Sequence, residues 1–384
     1  MKIALLGPCY PFRGGIAHYT ASLYRALTDE GHAVKVYNFS RQYPSIFFPG
    51  KSQLDYSADG FKVPSQEILD SINPLSWLKT SRAIARFEPE MTVVTWWHPY
   101  FGLPFGLISR HVRRKTGKPV VFLCHNVLPH EPTGFDHVLS RFAFRGASGF
   151  IVQAIKELST LRDMIGFNVP AEVAPHPVYD LFNLDGRLAE RETSRREIGV
   201  SSKRVLLFFG YIRPYKGLEV LLRAMPLVKD KEIDLVIAGE CYEDPERYLH
   251  LMAELGIEER VHFENRYIPN EEVARYFAAA DLVTLPYLSA TQSGVVQVAN
   301  ALGVPVLVSD VGGIPEVVED GKTGIVVPAD DPLAVARGID RFFHEEMESS
   351  LKEGMKLKQD HFKWTNLVDT LINLNQSLLS TQQK

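Results

Sequence analysis

Residues 286–328 read PYLSATQSGVVQVANALGVPVLVSDVGGIPEVVEDGKTGIVVP, and the order of elements within them decides the fold. A short apolar run, 281–285, comes just before. Thr291-Gln292-Ser293-Gly294 is small and polar, and 294–302 has the apolar spacing of a helix. Strand, polar turn and helix in that order aim backbone N–H groups and a positive helix end at one spot. Such a spot takes an anion, most often a phosphate. The segment Gln292-Ser293-Gly294-Val295 is the candidate contact.

Upstream the same grammar recurs. The apolar run 204–209 leads into Gly210-Tyr211-Ile212-Arg213-Pro214-Tyr215-Lys216-Gly217, which opens another helix. Two anion-friendly loops in one half of a chain suggest a diphosphate carried on a nucleotide. Further strand candidates are 2–6, 33–38, 91–95, 119–123 and 149–153 in the first half. In the second half they are 233–238, 260–264, 304–309 and 324–327. They are continuous apolar runs, as strands buried on both faces must be. Between them lie helical stretches such as Ile16, Tyr19, Leu23 and Leu27, with Gly31 as a stop. Alternation of this kind predicts an α/β fold with parallel sheets.

At 384 residues the chain exceeds the usual size of one core, so two domains are expected. The division is expected at Pro175-His176-Pro177, before a polar helix at 190–198. That gives domains over 1–177 and 178–359. The stretch 40–64 reads as irregular, and loops of that length are often functional or mobile. An apolar content of 45% and a mean hydropathy of −0.07 fit an ordinary soluble domain. A formal charge of −4 gives no electrostatic reason to expect nucleic acid as a partner. Cys9, Cys124 and Cys241 are odd in number and far apart, which suits a reducing compartment. No signal peptide and no membrane span are read. The expected location is the cytoplasm, with peripheral membrane contact left open. The run Arg110-His111-Val112-Arg113-Arg114-Lys115 reads either as a solvated helix end or as a dock for anionic lipid.

In open parallel sheets, ligands bind beyond the carboxyl ends of the strands. In the first half those ends carry Gly14-Gly15, Trp96-Trp97-His98-Pro99-Tyr100 and Cys124-His125-Asn126. Gly14 and Gly15 permit close backbone approach at a helix start. Trp96, Trp97 and Tyr100 either stack on a sugar or pack in the core. His125 and Asn126, directly after a buried strand, need polar partners. His125, His130 and Glu131 have zinc-binding residue types, but their spacing fits no metal motif. The chain has no G-x-S-x-G, and its N-terminal loop lacks G-x-G-x-x-G.

Taken together, these motifs resemble the group-1 (family-4 type) retaining glycosyltransferases with a GT-B fold. The resemblance rests on Gly14-Gly15, Gly31-His32-x-Val34-x-Val36, Gly210-x-Ile212-x-x-x-Lys216-Gly217 and Ala301-x-Gly303-x-Pro305-Val306. It continues through Val311-Gly312-Gly313-Ile314-Pro315-Glu316 and Asp320-Gly321-x-Thr323-Gly324. It implies two Rossmann-like domains facing across a cleft, with nucleotide-sugar in the second and acceptor in the first. It also implies that the last helix, within 360–384, packs back on the first domain.

The chain departs from the family's pattern in places. Tyr211 stands where the family has an arginine, and Arg213 is the candidate replacement. The family's paired glutamates fall on Ala290 and Val298, and Gln297 and Asn300 are the candidates for the lost ribose contact. The resemblance further implies sugar transfer from a nucleoside-diphosphate sugar to a hydroxyl of a glycan or lipid-linked glycan. Retention, no metal and no cofactor follow from the same likeness. Arg213 and Lys216 would bear on the leaving phosphate, and His125 would orient sugar or acceptor. Tyr267 and Ile268 would lie by the base, and Gly14, Gly15, Trp97, His98 and Asn126 on the acceptor side. The alternatives are a GT-B pair that binds nucleotide-sugar without chemistry and a GT-B epimerase or phosphorylase, although no clear lysine motif for the pyridoxal phosphate of phosphorylases is read.

Overall fold

The computed structural model describes every residue except 45, 47, 49, 59–60, 130–133, 167–168, 184–189 and 383–384. The chain divides into two units. The first comprises Met1–Asp55, Gly60–Pro177 and Lys363–Lys384, and the second Tyr56–Asp59 and Val178–Phe362.

The first unit runs β1 (Lys2–Leu6), α1 (Gly15–Asp29), β2 (Ala33–Arg41), β3 (Ser65–Asp70), α2 (Pro74–Phe87) and β4 (Met91–Trp96). It continues with α3 (Gly102–Thr116), β5 (Val120–Cys124), α4 (Gly134–Phe144), β6 (Gly149–Val152), α5 (Ile155–Ile165) and β7 (Ala171–Val173). Seven parallel strands lie in the order β3-β2-β1-β4-β5-β6-β7. Every residue of β4 and β5 is buried, as helices on both sheet faces require.

The second unit runs α6 (Arg191–Glu197), β8 (Arg204–Phe209), α7 (Leu218–Ala224), β9 (Ile233–Ala238), α8 (Glu246–Leu255) and β10 (Val261–Glu264). Then come α9 (Asn270–Ala279), β11 (Leu282–Leu285), α10 (Gly294–Leu302), β12 (Val306–Ser309), α11 (Ile314–Val317), β13 (Ile325–Val327), α12 (Pro332–His344) and α13 (Glu348–Lys358). Its six parallel strands are ordered β10-β9-β8-β11-β12-β13. The closing helix, α14 (Trp364–Gln382), belongs to the first unit. There the Tyr19 and Trp364 rings meet at 4.8 Å, and Leu378 and Leu374 abut Gly149.

Both sheets are wound outward from a central pair, β1/β4 in one unit and β8/β11 in the other. The chain reverses direction across the sheet at each pair, and the reversal leaves a crevice at the strands' carboxyl ends. In the second unit a buried ion pair fixes the opposite end of this pair. Asp281, just before β11, accepts from Arg195 at 2.7 Å and Arg191 at 2.9 Å, and from the Val205 N–H of β8 at 2.7 Å. The α/β reading with two Rossmann-like domains therefore holds. β3 and β7 are additional edge strands that the sequence pattern does not announce.

Candidate functional site

In the second unit three segments converge where β8 and β11 part. β8 is followed directly by Gly210, whose φ is 94°. A Cβ at Gly210 would stand 3.2 Å from Lys216 Nζ and 3.5 Å from Val295 Cγ2. The residue is open on this side because it has no side chain. Gly239, after β9, faces the Gly210 carbonyl so closely that a side chain there would overlap it. The Gly210 N–H donates to Ala238 O at 2.9 Å. These contacts lock the turn after β8.

Pro214–Lys216 forms a 3-10 turn that opens α7 through Gly217, φ 67°. The Leu288 N–H donates to Tyr215 O at 2.7 Å, tying this turn to the loop after β11. That loop is held in turn by the Gly313 N–H, which donates to Thr291 O at 3.0 Å. Ser293 caps α10, its Oγ accepting from the Val296 N–H at 3.3 Å. The remaining N-terminal amides, beginning at Gly294 and Val295, form the positive end of a nine-residue helix.

Lys216 is the electrostatic centre of this arrangement. It is only 8% exposed, and among the described residues it makes no ion pair. Burial, aided by the nearby Arg213 charge, brings its pKa down to about 7. A buried, unneutralised ammonium is costly unless an anion accompanies it. Arg213 is exposed, its guanidinium 5.5 Å above the Tyr242 ring.

Aromatic rings flank these cations. Tyr211 lies 4.8 Å from Tyr242 and stacks at 6.5 Å on Tyr267, with an interplanar angle of 26°. The three tyrosines follow β8, β9 and β10 in turn, so they cross three neighbouring strand ends. Ile268 is buried beside Tyr267. Arg266 is spent on Glu264 and Glu272, at 2.7 and 2.6 Å, and fixes this loop. Gln297 is fully buried. Its Oε1 accepts from Asn300 at 3.2 Å, and its Nε2 has no partner among the described residues. Ala290 and Val298 are buried apolar side chains.

The first unit gathers the other candidates around the carboxyl ends of β1, β4 and β5. Gly14, φ 102°, caps α1, which begins at Gly15 and has no acidic residue in its first turn. Trp97 is half-buried against Phe101 at 4.3 Å, and its Nε1 donates to Tyr43 Oη at 3.1 Å. Trp96 is wholly in the core and donates to Val127 O at 3.3 Å. His98 is exposed and caps the following turn, its Nδ1 accepting from the Tyr100 N–H at 3.1 Å. Asn126 is half-buried.

His125 is buried, 4.4 Å from the Tyr19 ring and 6.3 Å from His176. Burial, reinforced by His176, lowers its pKa to about 3, while the neighbouring Gln153 side chain opposes the shift. The Tyr19 ring also meets the His176 ring edge-on at 5.0 Å. His125 is therefore neutral at physiological pH, within a polar cluster drawn from α1 and the ends of β5, β6 and β7. Sequence reasoning found His125 but not Tyr19 or Gln153, because each reads alone as an ordinary core residue. Tyr242 was missed for the same reason. His130 and Glu131 lie outside the described residues. Among the described residues no group of three or more His, Cys, Asp or Glu stands where it could hold a metal.

Two Rossmann-like units in one chain define a GT-B architecture, and comparison with known proteins agrees. A model of group 1 glycosyl transferases matches residues 203–345, and one of Glycosyltransferase Family 4 matches residues 13–180. D-inositol 3-phosphate glycosyltransferase 1 of Catenulispora acidiphila is 31% identical over 71% of this chain and 70% of its own. The Corynebacterium glutamicum D-inositol 3-phosphate glycosyltransferase is 34% identical over 43% of this chain, which spans 41% of that relative's length.

Among solved structures, sucrose-phosphate synthase from Thermosynechococcus elongatus superposes with a TM-score of 0.75 at 19% identity over 99% of both chains. Anabaena Alr3699/HepE, in complex with UDP and glucose, gives 0.72 at 17% identity over 100% of this chain and 99% of that one. At such identities the likeness speaks for the fold. The chain belongs to the GT-B-fold glycosyltransferases of the group 1 and family 4 kind.

Proposed function

We propose that this protein transfers a sugar from a nucleoside-diphosphate sugar to a hydroxyl of a glycan or lipid-linked glycan, with retention and without a metal. One observation carries the reading: Lys216 is buried without a counter-ion where the Gly210 turn, Arg213 and the start of α10 meet. A diphosphate supplies the missing anion. Relatives that are glycosyltransferases by name, and a structural neighbour solved in complex with UDP and glucose, support the same ligand class.

The reaction breaks the bond from the anomeric carbon to the β-phosphate oxygen and forms a bond to the acceptor oxygen on the same face. Negative charge grows on the departing diphosphate. Fixed cations and N–H donors there lower the barrier, because they need no reorganisation as the charge develops. Lys216, Arg213 and the amides at Gly294 and Val295 serve this role. The acceptor's proton passes to the departing phosphate, so no protein base is required. The stacked Tyr211 and Tyr267, with Ile268, receive the base, and the buried Gln297 amide receives the ribose. In the first unit, neutral His125 orients the sugar or acceptor by hydrogen bonding. Gly14, Gly15, Trp97, His98 and Asn126 form the acceptor side.

The buried apolar Ala290 and Val298, in place of carboxylates, favour a second reading in which the protein binds nucleotide-sugar without turning it over. A panel of nucleoside-diphosphate sugars separates the two. Stabilisation against heat by one donor, with release of nucleoside diphosphate on adding an acceptor extract, supports transfer. Stabilisation with no release under any acceptor supports binding alone. No stabilisation by any donor or diphosphate defeats both.

A further inference from the structure

The outward face of α2 and α3 has a charge pattern that nucleotide-sugar chemistry does not use. α2 carries Lys79, Arg82 and Arg86, and α3 carries Arg110, Arg113, Arg114 and Lys115. Neither helix contains an aspartate or glutamate. Seven cations thus lie on two neighbouring helices of a chain whose formal charge is −4.

Two of the seven have structural partners. Arg110 donates to Phe142 O at 2.8 Å, and Arg113 to Ala147 O at 2.9 Å. Lys79, Arg82, Arg86, Arg114 and Lys115 are exposed and make no ion pair among the described residues. Their charges are felt between the helices: burial, then Lys115, Arg82 and Arg114, hold His111 below its ordinary pKa.

Apolar groups share this face. Leu75 and Leu78 on α2 and Leu103 and Leu107 on α3 are exposed. They precede the cations by one to two turns at helical spacing. Between the helices runs a groove of about 300 Å³, with Trp77, Leu78, Leu107 and Ile108 along it and Arg110, His111 and Arg114 also lining it. Exposed leucines beside unpaired cations mark an interaction surface.

We propose that this face docks on a bilayer carrying anionic lipid headgroups. The leucines enter the boundary between headgroups and acyl chains, and the cations meet the headgroup phosphates. A nucleic acid would use the cations but leave the leucines without a role, so the combination favours lipid. The proposal is independent of the transfer reaction, because vesicle binding is read without donor or acceptor.

The test is flotation of the full chain with phosphatidylcholine vesicles and with vesicles in which half the lipid is phosphatidylglycerol. Binding to the mixed vesicles alone, weakening as salt is added, is expected. Each cation near such a surface multiplies affinity about fivefold. R82Q/R114Q/K115Q should therefore bind on the order of a hundredfold more weakly, with its circular dichroism and its affinity for UDP unchanged. R82K/R114K/K115R should bind like the parent. L103N/L107N should lose binding several-fold. Equal binding to both vesicle types, or no binding to either, would overturn the proposal. So would unaltered binding by the neutralised variant, loss in the charge-conserving one, or displacement from the mixed vesicles by RNA at equal phosphate concentration.

Discussion

Gly217 and Pro286 lie 69 positions apart, yet a side chain on Gly217 would overlap the Pro286 carbonyl oxygen. One residue closes the turn after β8, and the other begins the loop after β11. Their contact holds the two loops in one geometry. Gly217 also has φ of 67°, a conformation that costs an L-residue roughly 1–2 kcal/mol before any overlap is counted. G217A should lower the thermal midpoint and weaken UDP binding together. An unchanged calorimetric affinity would show that the loops move independently.

Lys216 should be needed in the transition state more than in the ground state. K216A is expected to lose turnover at saturating donor by on the order of 10²–10³, the usual effect of removing one fixed donor from a developing anion. R213A should follow in the same direction. Near-normal turnover by K216A would remove it from the leaving-group role.

The same lysine sets a pH dependence of stability. Its pKa is 10.5 in the unfolded chain and about 7 in the fold, so the unfolded state binds more protons between these values and stability rises with pH across them. Below pH 7 the full cost of the buried ammonium is present, and it shrinks by about 1.4 kcal/mol per pH unit above that. Ligand-free K216M should therefore melt above the parent at pH 6, and the gap should narrow toward pH 10. At pH 8, UDP binding should take up a proton, seen as a buffer-dependent binding enthalpy that K216M lacks. A gap that is constant with pH would show that Lys216 is well solvated.

Asp281 tests structure rather than chemistry. It joins Arg195 and Arg191 to β8, and Arg195 is itself buried. D281A leaves that guanidinium with only the exposed Glu192 carboxylate, 3.6 Å away, and breaking a buried pair in this way typically costs about 3–5 kcal/mol. Denaturant titration should show this loss. A loss under about 1 kcal/mol would mean that water reaches Arg195.

His125 should separate the two ligand sites. H125A is expected to impair transfer while leaving affinity for the free nucleoside diphosphate unchanged by calorimetry. A tenfold loss of that affinity, about 1.4 kcal/mol, would bring the nucleotide to the first unit.

Much of this fold could be read from apolar runs. The expected strands at 2–6, 204–209 and 233–238 coincide with β1, β8 and β9, and the helix at 294–302 with α10. These elements are central, and burial on both faces leaves a continuous apolar signature. β3, reading SQEILD, lies on an edge and is largely solvated, and β7 is three residues long. Neither buries enough side chain to impose a pattern.

The turns after β8 and β11 were equally legible because glycine, proline and a capping serine act locally. The tyrosine stack and the Tyr19–His125–Gln153 cluster were not. Their members are joined only by the sheet order, and nothing in the local sequence of Tyr242 or Gln153 signals the neighbour that folding provides. The tryptophan pair shows the limit at single-residue scale. Trp96 ends a strand buried on both sides, while Trp97 lies one residue beyond it and keeps a partly open face.

The helix α14 has a consequence for how the molecule can be cut and recombined. Leu367, Val368, Leu371, Leu374 and Leu378 are buried on it, and the helix belongs to a unit whose other residues precede position 178. The second unit is thus spliced into the first, apart from Tyr56–Asp59. A truncation at the linker would strip the first unit of part of its core. Chimeras intended to exchange specificities should therefore treat 178–362 as the cassette and leave both ends of the host chain in place.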